Sequence, residues 1–88
     1  MRRVELREFK AITMSKLMKL NEELKQKYPA KASRIDELTD MIVAKLTNLR
    51  SYTMSDFLFL IYAASKEFPE FKELFPDPQE VEQLMKED

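Results

Sequence analysis

The sequence predicts an all-α fold, a compact bundle of four or five helices in which residues 1–88 form a single domain. Three observations favour this fold. Apolar residues recur at steps of three and four, as they do on one face of a helix. Glycine is absent, so tight hairpin turns that require positive φ lack their usual residue. The abundant residues, Leu, Lys, Glu, Met and Ala, are good helix formers.

The first predicted helix runs from about residue 3 to residue 28. The positions of its buried stripe are Leu6, Phe9, Thr13 or Ile12, Leu17, Leu20, Leu24 and Tyr28. Pro29 ends the helix, because the residue before a proline disfavours the α conformation.

The second predicted helix covers residues 34–50, with Ser33 as its N-cap and Asp36 three residues later in a variant of the capping box. The apolar positions follow at steps of three and four: Ile35, Leu38, Ile42, Leu46 and Leu49. This spacing indicates one buried face.

The third predicted helix covers residues 54–67 and is expected to be the apolar centre of the bundle. Thr53 is its predicted N-cap, and Asp56 in the first turn suits the helix dipole. The run "FLFLIY" over residues 57–62 has strand propensity as well, but the cap and the lack of a partner strand favour helix. A helix with apolar residues on every side is expected to be buried on every side.

The core is accordingly expected to contain Phe57, Phe59 and Tyr62.

Two shorter segments complete the chain. Pro69 suits a first helical position, and the segment that it opens stops at Pro76. The last helix, about 78–87, begins with a cap, a proline and a capping-box glutamate in the sequence "DPQE".

The tripeptide "TMS" occurs twice, at residues 13–15 and 53–55, forty residues apart. Pro29 and Pro69 share the same offset, which is in the range of helical-hairpin repeats. Chance identity and shared helical periodicity also explain the match, and we favour them over a true duplication. Lys16 follows the first copy, and a cation at a helix start is unfavourable. We therefore expect the first copy to lie inside a helix and the second copy to start one.

Charge is divided unevenly along the chain. Residues 1–50 carry twelve Lys or Arg against seven Asp or Glu, a net charge of +5, whereas residues 51–88 carry three against nine, a net charge of −6. The candidates for a basic face that could bind nucleic-acid phosphates are Arg2, Arg3, Arg7, Lys10, Lys16, Lys19, Lys25, Lys27, Lys31 and Arg34. The alternative is a solvated surface partly paired with the acidic residues of the chain itself.

Seven of the nine aromatic residues lie from Tyr52 onward. Those around the segment between Pro69 and Pro76 have two interpretations: they close the core, or they form an apolar groove for a partner helix or a second subunit. The candidate partner surface is Phe68, Phe71, Leu74 and Phe75. Six methionines suit an adaptable packing surface.

Enzymatic chemistry finds little support in the sequence. The chain has no Cys, His or Gly, so the usual zinc or haem ligands, a histidine to activate serine, and phosphate-binding glycine loops are missing. We expect a non-enzymatic protein without cofactor or metal. No apolar run is long enough to span a membrane, and no secretory signal is evident. The expected location is cytoplasmic.

These observations lead to one functional expectation and one alternative. The expectation is a small interaction module, regulatory or part of an assembly, that binds a protein partner or itself through helix faces. A small helical domain often completes its core by dimerising. The alternative is a nucleic-acid-binding module that uses the basic residues of the N-terminal half.

Overall fold

The computed structural model describes residues 5–86, and this part of the chain is built from helices without any strand. The α-helices are α1 (Leu6–Lys27), α2 (Ala32–Thr47), α3 (Met54–Glu67) and α4 (Pro78–Met85). Short 3-10 helices lie between them at Pro29–Lys31, Ser51–Thr53 and Pro69–Leu74. The all-α prediction is confirmed, and the run "FLFLIY" is helical. The predicted ends at residues 3 and 87 lie outside the described residues.

The chain forms two helical pairs, and in each pair the first helix ends at an aromatic residue followed by proline. Tyr28 precedes Pro29 after α1, and Phe68 precedes Pro69 after α3. Both aromatic residues leave the α conformation, with φ and ψ of −129° and 64° at Tyr28 and −136° and 99° at Phe68. The following proline clashes with a helical residue before it, which explains both helix ends. The proline then opens a 3-10 turn, so neither turn needs glycine.

The first pair, α1 and α2, is joined by a buried polar contact in addition to apolar packing. The Asn21 side-chain amide donates to the Thr39 hydroxyl at 2.9 Å and to the Asp36 carboxylate at 3.1 Å. Asn21 and Thr39 are both buried. A buried amide without partners would cost about 1–3 kcal/mol, so this contact fixes the register of the two helices.

The core is one continuous apolar cluster to which all four α-helices contribute. Its fully buried large side chains are Phe57, Phe71, Leu17, Leu24, Ile35, Ile42, Leu46, Leu49, Met54, Ile61 and Leu84. The ring of Phe57 meets the ring of Phe9 edge-on, with centroids 6.0 Å apart. This contact ties α3 to α1 at the centre of the molecule.

Two predicted helix caps are wrong. α2 begins at Ala32, so Ser33 lies inside its first turn, because the 3-10 turn at Pro29–Lys31 leads directly into the helix. Thr53 occupies the N-cap position of α3, yet its hydroxyl does not cap that helix. It bonds the backbone N–H and carbonyl of Arg50 instead, at 2.9 and 3.0 Å, and so stabilises the preceding 3-10 turn.

The cap of α4 is as predicted. The backbone N–H of Asp77 donates to the Glu80 carboxylate at 3.2 Å, as in a capping box, and Pro78 opens the helix. Within α4, Leu84 is buried, Val81 is partly buried and Met85 is exposed.

The two "TMS" copies have different structural roles, as expected from the charges that follow them. Residues 13–15 lie in the uninterrupted helix α1, whereas residues 53–55 span the start of α3. The similarity at an offset of forty residues is instead clearest at the other end, where Tyr28-Pro29 and Phe68-Pro69 form the same kind of junction.

The expectation that α3 is buried on all sides is wrong. Phe57 and Ile61 are fully buried, but Phe59 is 71% exposed and Tyr62 is 50% exposed. Residues two positions apart on a helix point about 160° away from each other. Phe57 and Phe59 therefore lie on nearly opposite sides of α3, and only the side of Phe57 faces the other helices.

Replacing Phe57 and Phe59 by alanine should separate the two sides of α3. Phe57→Ala removes a fully buried ring and should lower the free energy of unfolding by about 3–5 kcal/mol. Phe59→Ala, in the same helix, should change it by less than about 0.5 kcal/mol, because the ring is mostly exposed. Urea denaturation followed by circular dichroism measures both values. Equal losses in the two variants would contradict the fold described here.

Candidate protein-interaction surface

The basic residues of the first helical pair are partly neutralised by acidic residues of the second. The Lys27 ammonium lies 2.8 Å from the Glu70 carboxylate, which also accepts a hydrogen bond from the Tyr28 hydroxyl at 3.2 Å. Arg34 donates two hydrogen bonds to Glu67, at 2.8 and 2.7 Å. The opposite charges of the two halves of the chain are thus partly neutralised by ion pairs within the same molecule.

Other ion pairs lie within the first helical pair, and Lys31 contacts an aromatic ring of the second. Arg34 also bonds Glu37, and Lys25 lies 3.1 Å from Asp36. Lys31 lies over the ring of Phe68, 5.8 Å from its centroid. Four of the ten candidates for a basic face, namely Lys25, Lys27, Lys31 and Arg34, therefore contact acidic or aromatic groups of this chain.

The remaining described candidates do not share a face. At 100° per residue, Lys16 and Lys19 lie on one flank of the buried stripe of α1, and Arg7 lies on the opposite flank. Lys10 lies closer to the stripe and is only partly exposed. Lys16 and Lys19 line a shallow cleft together with Glu23 and Glu73. Arg2 and Arg3 lie outside the described residues.

Most of the predicted apolar partner surface is buried. Phe68, Phe71 and Leu74 belong to the core, with at most 2% of each residue exposed. Phe68, Phe71 and Leu74 lie three residues apart, and a 3-10 helix has three residues per turn. They therefore align on one face of the 3-10 helix Pro69–Leu74, with Phe68 directly before it. That face packs against α1 and α3. The predicted surface is wrong for these three residues, and Phe75, 37% exposed, is its only accessible member within residues 5–86.

The largest exposed aromatic side chains lie elsewhere, on the outside of α3 and the turn before it. Tyr52 is 79% exposed, Phe59 71% and Tyr62 50%. Phe59 and Tyr62 are three residues apart in α3 and hence neighbours on one side of the helix. We call these three residues the α3 aromatic face. Scattered exposed apolar residues are ordinary, but neighbouring exposed aromatics such as Phe59 and Tyr62 are typical of binding surfaces.

The sequence contained a signal for this face that the prediction missed. Ser55 and Lys66 lie four residues before and seven residues after Phe59, so all three share one side of α3. Both polar residues are exposed. Polar residues one and two turns away mark the solvent side of a helix even when the residue between them is aromatic.

A shallow groove lies between α2 and α3, and two of its lining residues, Thr53 and Leu60, directly follow Tyr52 and Phe59 in the sequence. Its lining residues are Met41, Ala44, Lys45, Asn48, Thr53 and Leu60. Met41 is 48% exposed, and its flexible thioether side chain adapts to different partner shapes. The groove thus combines apolar side chains with the polar side chains of Lys45, Asn48 and Thr53.

Residues 5–86 contain no cluster of acidic side chains arranged to hold a metal ion. Over the same range, none of the helices combines the length and the apolar character that crossing a bilayer requires.

Comparisons with known proteins add no family to this description. No protein-family model, curated protein or solved structure matches the chain.

The contacts between the helical pairs shift the protonation of the carboxylates involved. The hydrogen bond from Lys27 lowers the pKa of Glu70, and the bond from Arg34 lowers the pKa of Glu67. In the first pair, the bond from the Asn21 amide, with Lys25 beside it, lowers the pKa of Asp36. Each of these groups prefers its charged form in the folded protein.

Acid should therefore weaken the folded state, and Glu70→Gln should reduce this effect. A carboxylate with a lowered pKa stabilises the fold above its unfolded value, 4.5 for Glu70, and this contribution is lost as the pH falls through the lower folded value. We expect Glu70→Gln to be less stable than the natural protein near neutral pH. Its free energy of unfolding should then fall less between about pH 7 and about pH 3.

The measurement is urea denaturation at a series of pH values. The matched control is Glu73→Gln, which removes an exposed carboxylate of the same 3-10 helix that forms no ion pair with residues 5–86. If both variants show the pH dependence of the natural protein, the contact between Lys27 and Glu70 does not stabilise the fold.

Proposed function

We propose that this chain is a small non-enzymatic interaction protein, a regulator or an assembly subunit, that binds a protein partner through the α3 aromatic face. The observation that carries the proposal is the exposure of Phe59, at 71%, directly behind the fully buried Phe57. Burying a phenylalanine side chain typically gains about 1.5–3 kcal/mol. A partner that covers Phe59 would bury the exposed part of this ring and gain the corresponding free energy. In the isolated chain that part of the ring remains in contact with water.

The neighbours of Phe59 support a protein as the partner. Aromatic residues and methionine are enriched in the cores of protein interfaces, where charged residues are depleted. Tyr52 and Tyr62 supply rigid rings with a hydroxyl that can bond the partner or water at the rim. Met41 in the groove between α2 and α3 supplies an adaptable contact.

In-cell photo-crosslinking tests this proposal. Phe59→benzoylphenylalanine retains an aromatic side chain at a site where the fold makes little use of it, and it should form crosslinks to protein when illuminated in cells of the source organism. The control is the same substitution at Gln26, an exposed position of α1. If position 59 crosslinks no more protein than position 26, the α3 aromatic face is not a protein-binding surface.

The alternative function, nucleic-acid binding, gains no support from the positions of the basic residues. We expect fluorescence titrations with duplex and single-stranded oligonucleotides to stay flat at about 50 mM salt, because Lys27 and Arg34 are paired within the chain and the other candidates among residues 5–86 do not share one face. Saturable binding that weakens steeply with salt, and that Lys16→Glu with Lys19→Glu abolishes, would establish the alternative instead.

A further inference from the structure

We infer that the partner of the α3 aromatic face is a second copy of this chain, bound with the two α3 helices antiparallel about a twofold axis. This inference rests on the proposed function, since it names the occupant of the same surface. It is argued from the charges, the side-chain sizes and the area of that surface.

When two copies of α3 lie antiparallel, opposite charges on their outer sides come to the same heights along the helices. Asp56 and Lys66 are exposed and form no ion pair with residues 5–86. The Lys66 ammonium lies 4.8 Å from the centroid of the Tyr62 ring, so the cation sits on the α3 aromatic face. Asp56 and Lys66 are ten residues apart, about 15 Å along the helix at 1.5 Å per residue.

A twofold axis at the level of Ile61, midway between these residues, brings each Asp56 to the height of Lys66 in the second copy. The antiparallel pair therefore brings opposite charges to the same height at two places. A parallel pair places Asp56 beside Asp56 and Lys66 beside Lys66, and like charges repel. An interface between identical surfaces must complement itself, and the antiparallel arrangement does so.

The same register pairs a large side chain with a small one. Phe59 comes to the height of Ala63 in the second copy, because both lie two residues from Ile61. Ala63 is exposed and lies one turn beyond Phe59 in α3. A ring that meets a methyl group lets the helices approach closely, whereas Phe59 against Phe59 would hold them apart.

The exposed area indicates a weak dimer. At roughly 200 Å² for a whole aromatic side chain, the α3 aromatic face exposes about 400 Å² per copy, or about 800 Å² for a pair. Stable specific interfaces bury about 1,200–2,000 Å² in total, whereas weak and transient ones bury less. We therefore expect association that depends on concentration.

Sedimentation equilibrium from about 1 µM to about 1 mM tests the inference, a range that spans weak dissociation constants. The natural chain should rise from monomer mass towards dimer mass. Phe59→Ala should remain a monomer, and the matched control, Phe75→Ala, should associate as the natural chain does. Circular dichroism and urea denaturation confirm that each variant is folded.

Charge exchange tests the antiparallel register. Asp56→Lys and Lys66→Glu should each weaken association by about tenfold, as expected for two exposed ion pairs turned into repulsive ones. The double variant with both substitutions should recover most of the loss, because opposite charges again face each other. A different protein bound at this surface would not follow the exchange in this way.

Several results would overturn the inference. These are a natural chain that stays monomeric throughout, a dimer that Phe59→Ala leaves intact, or a double variant no stronger than the single ones. If position 59 then still crosslinks to a different protein in cells, the proposed function survives with another occupant. If neither self-association nor crosslinking occurs, both proposals fail.

Discussion

The two helical pairs are held together at the places where each of them turns. The ring of Tyr28 packs on the ring of Phe68, with centroids 5.4 Å apart, and Lys27 and Glu70 form an ion pair beside them. Phe68 in turn contacts Phe71, with ring centroids 6.2 Å apart. Because proline begins both turns, the chain itself fixes where Tyr28 and Phe68 leave their helices, and Phe68 and Phe71 continue the contact into the apolar core.

This junction also determines which side of α3 remains exposed. Once the 3-10 helix Pro69–Leu74 lies between α1 and α3, the inner side of α3 faces α2, α4 and that segment. Its outer side has no further part of residues 5–86 to cover it. The exposed position of Phe59 thus follows from the packing of Phe71, a fully buried ring twelve residues later.

The helix boundaries were largely predictable because prolines act locally. Pro29, Pro69 and Pro78 restrict the residue before them or open a helix whatever the rest of the chain does. Burial was harder to predict. In a run such as "FLFLIY", apolar side chains occur on every side of the helix, so periodicity does not reveal which of them face the core. For Phe68 and Phe71 the sequence left two interpretations open, and burial in the core is the one that the structure shows, because residues three apart align on one face of a 3-10 helix.

The turns of this protein have a consequence for the unfolded chain as well. All connections are made without a single glycine, and the chain contains four prolines. Glycine widens and proline narrows the range of backbone conformations that an unfolded chain can sample. This chain therefore loses less backbone entropy on folding than one of equal length with the usual glycine turns. Part of the stability of this small domain therefore comes from the low conformational entropy of its unfolded state.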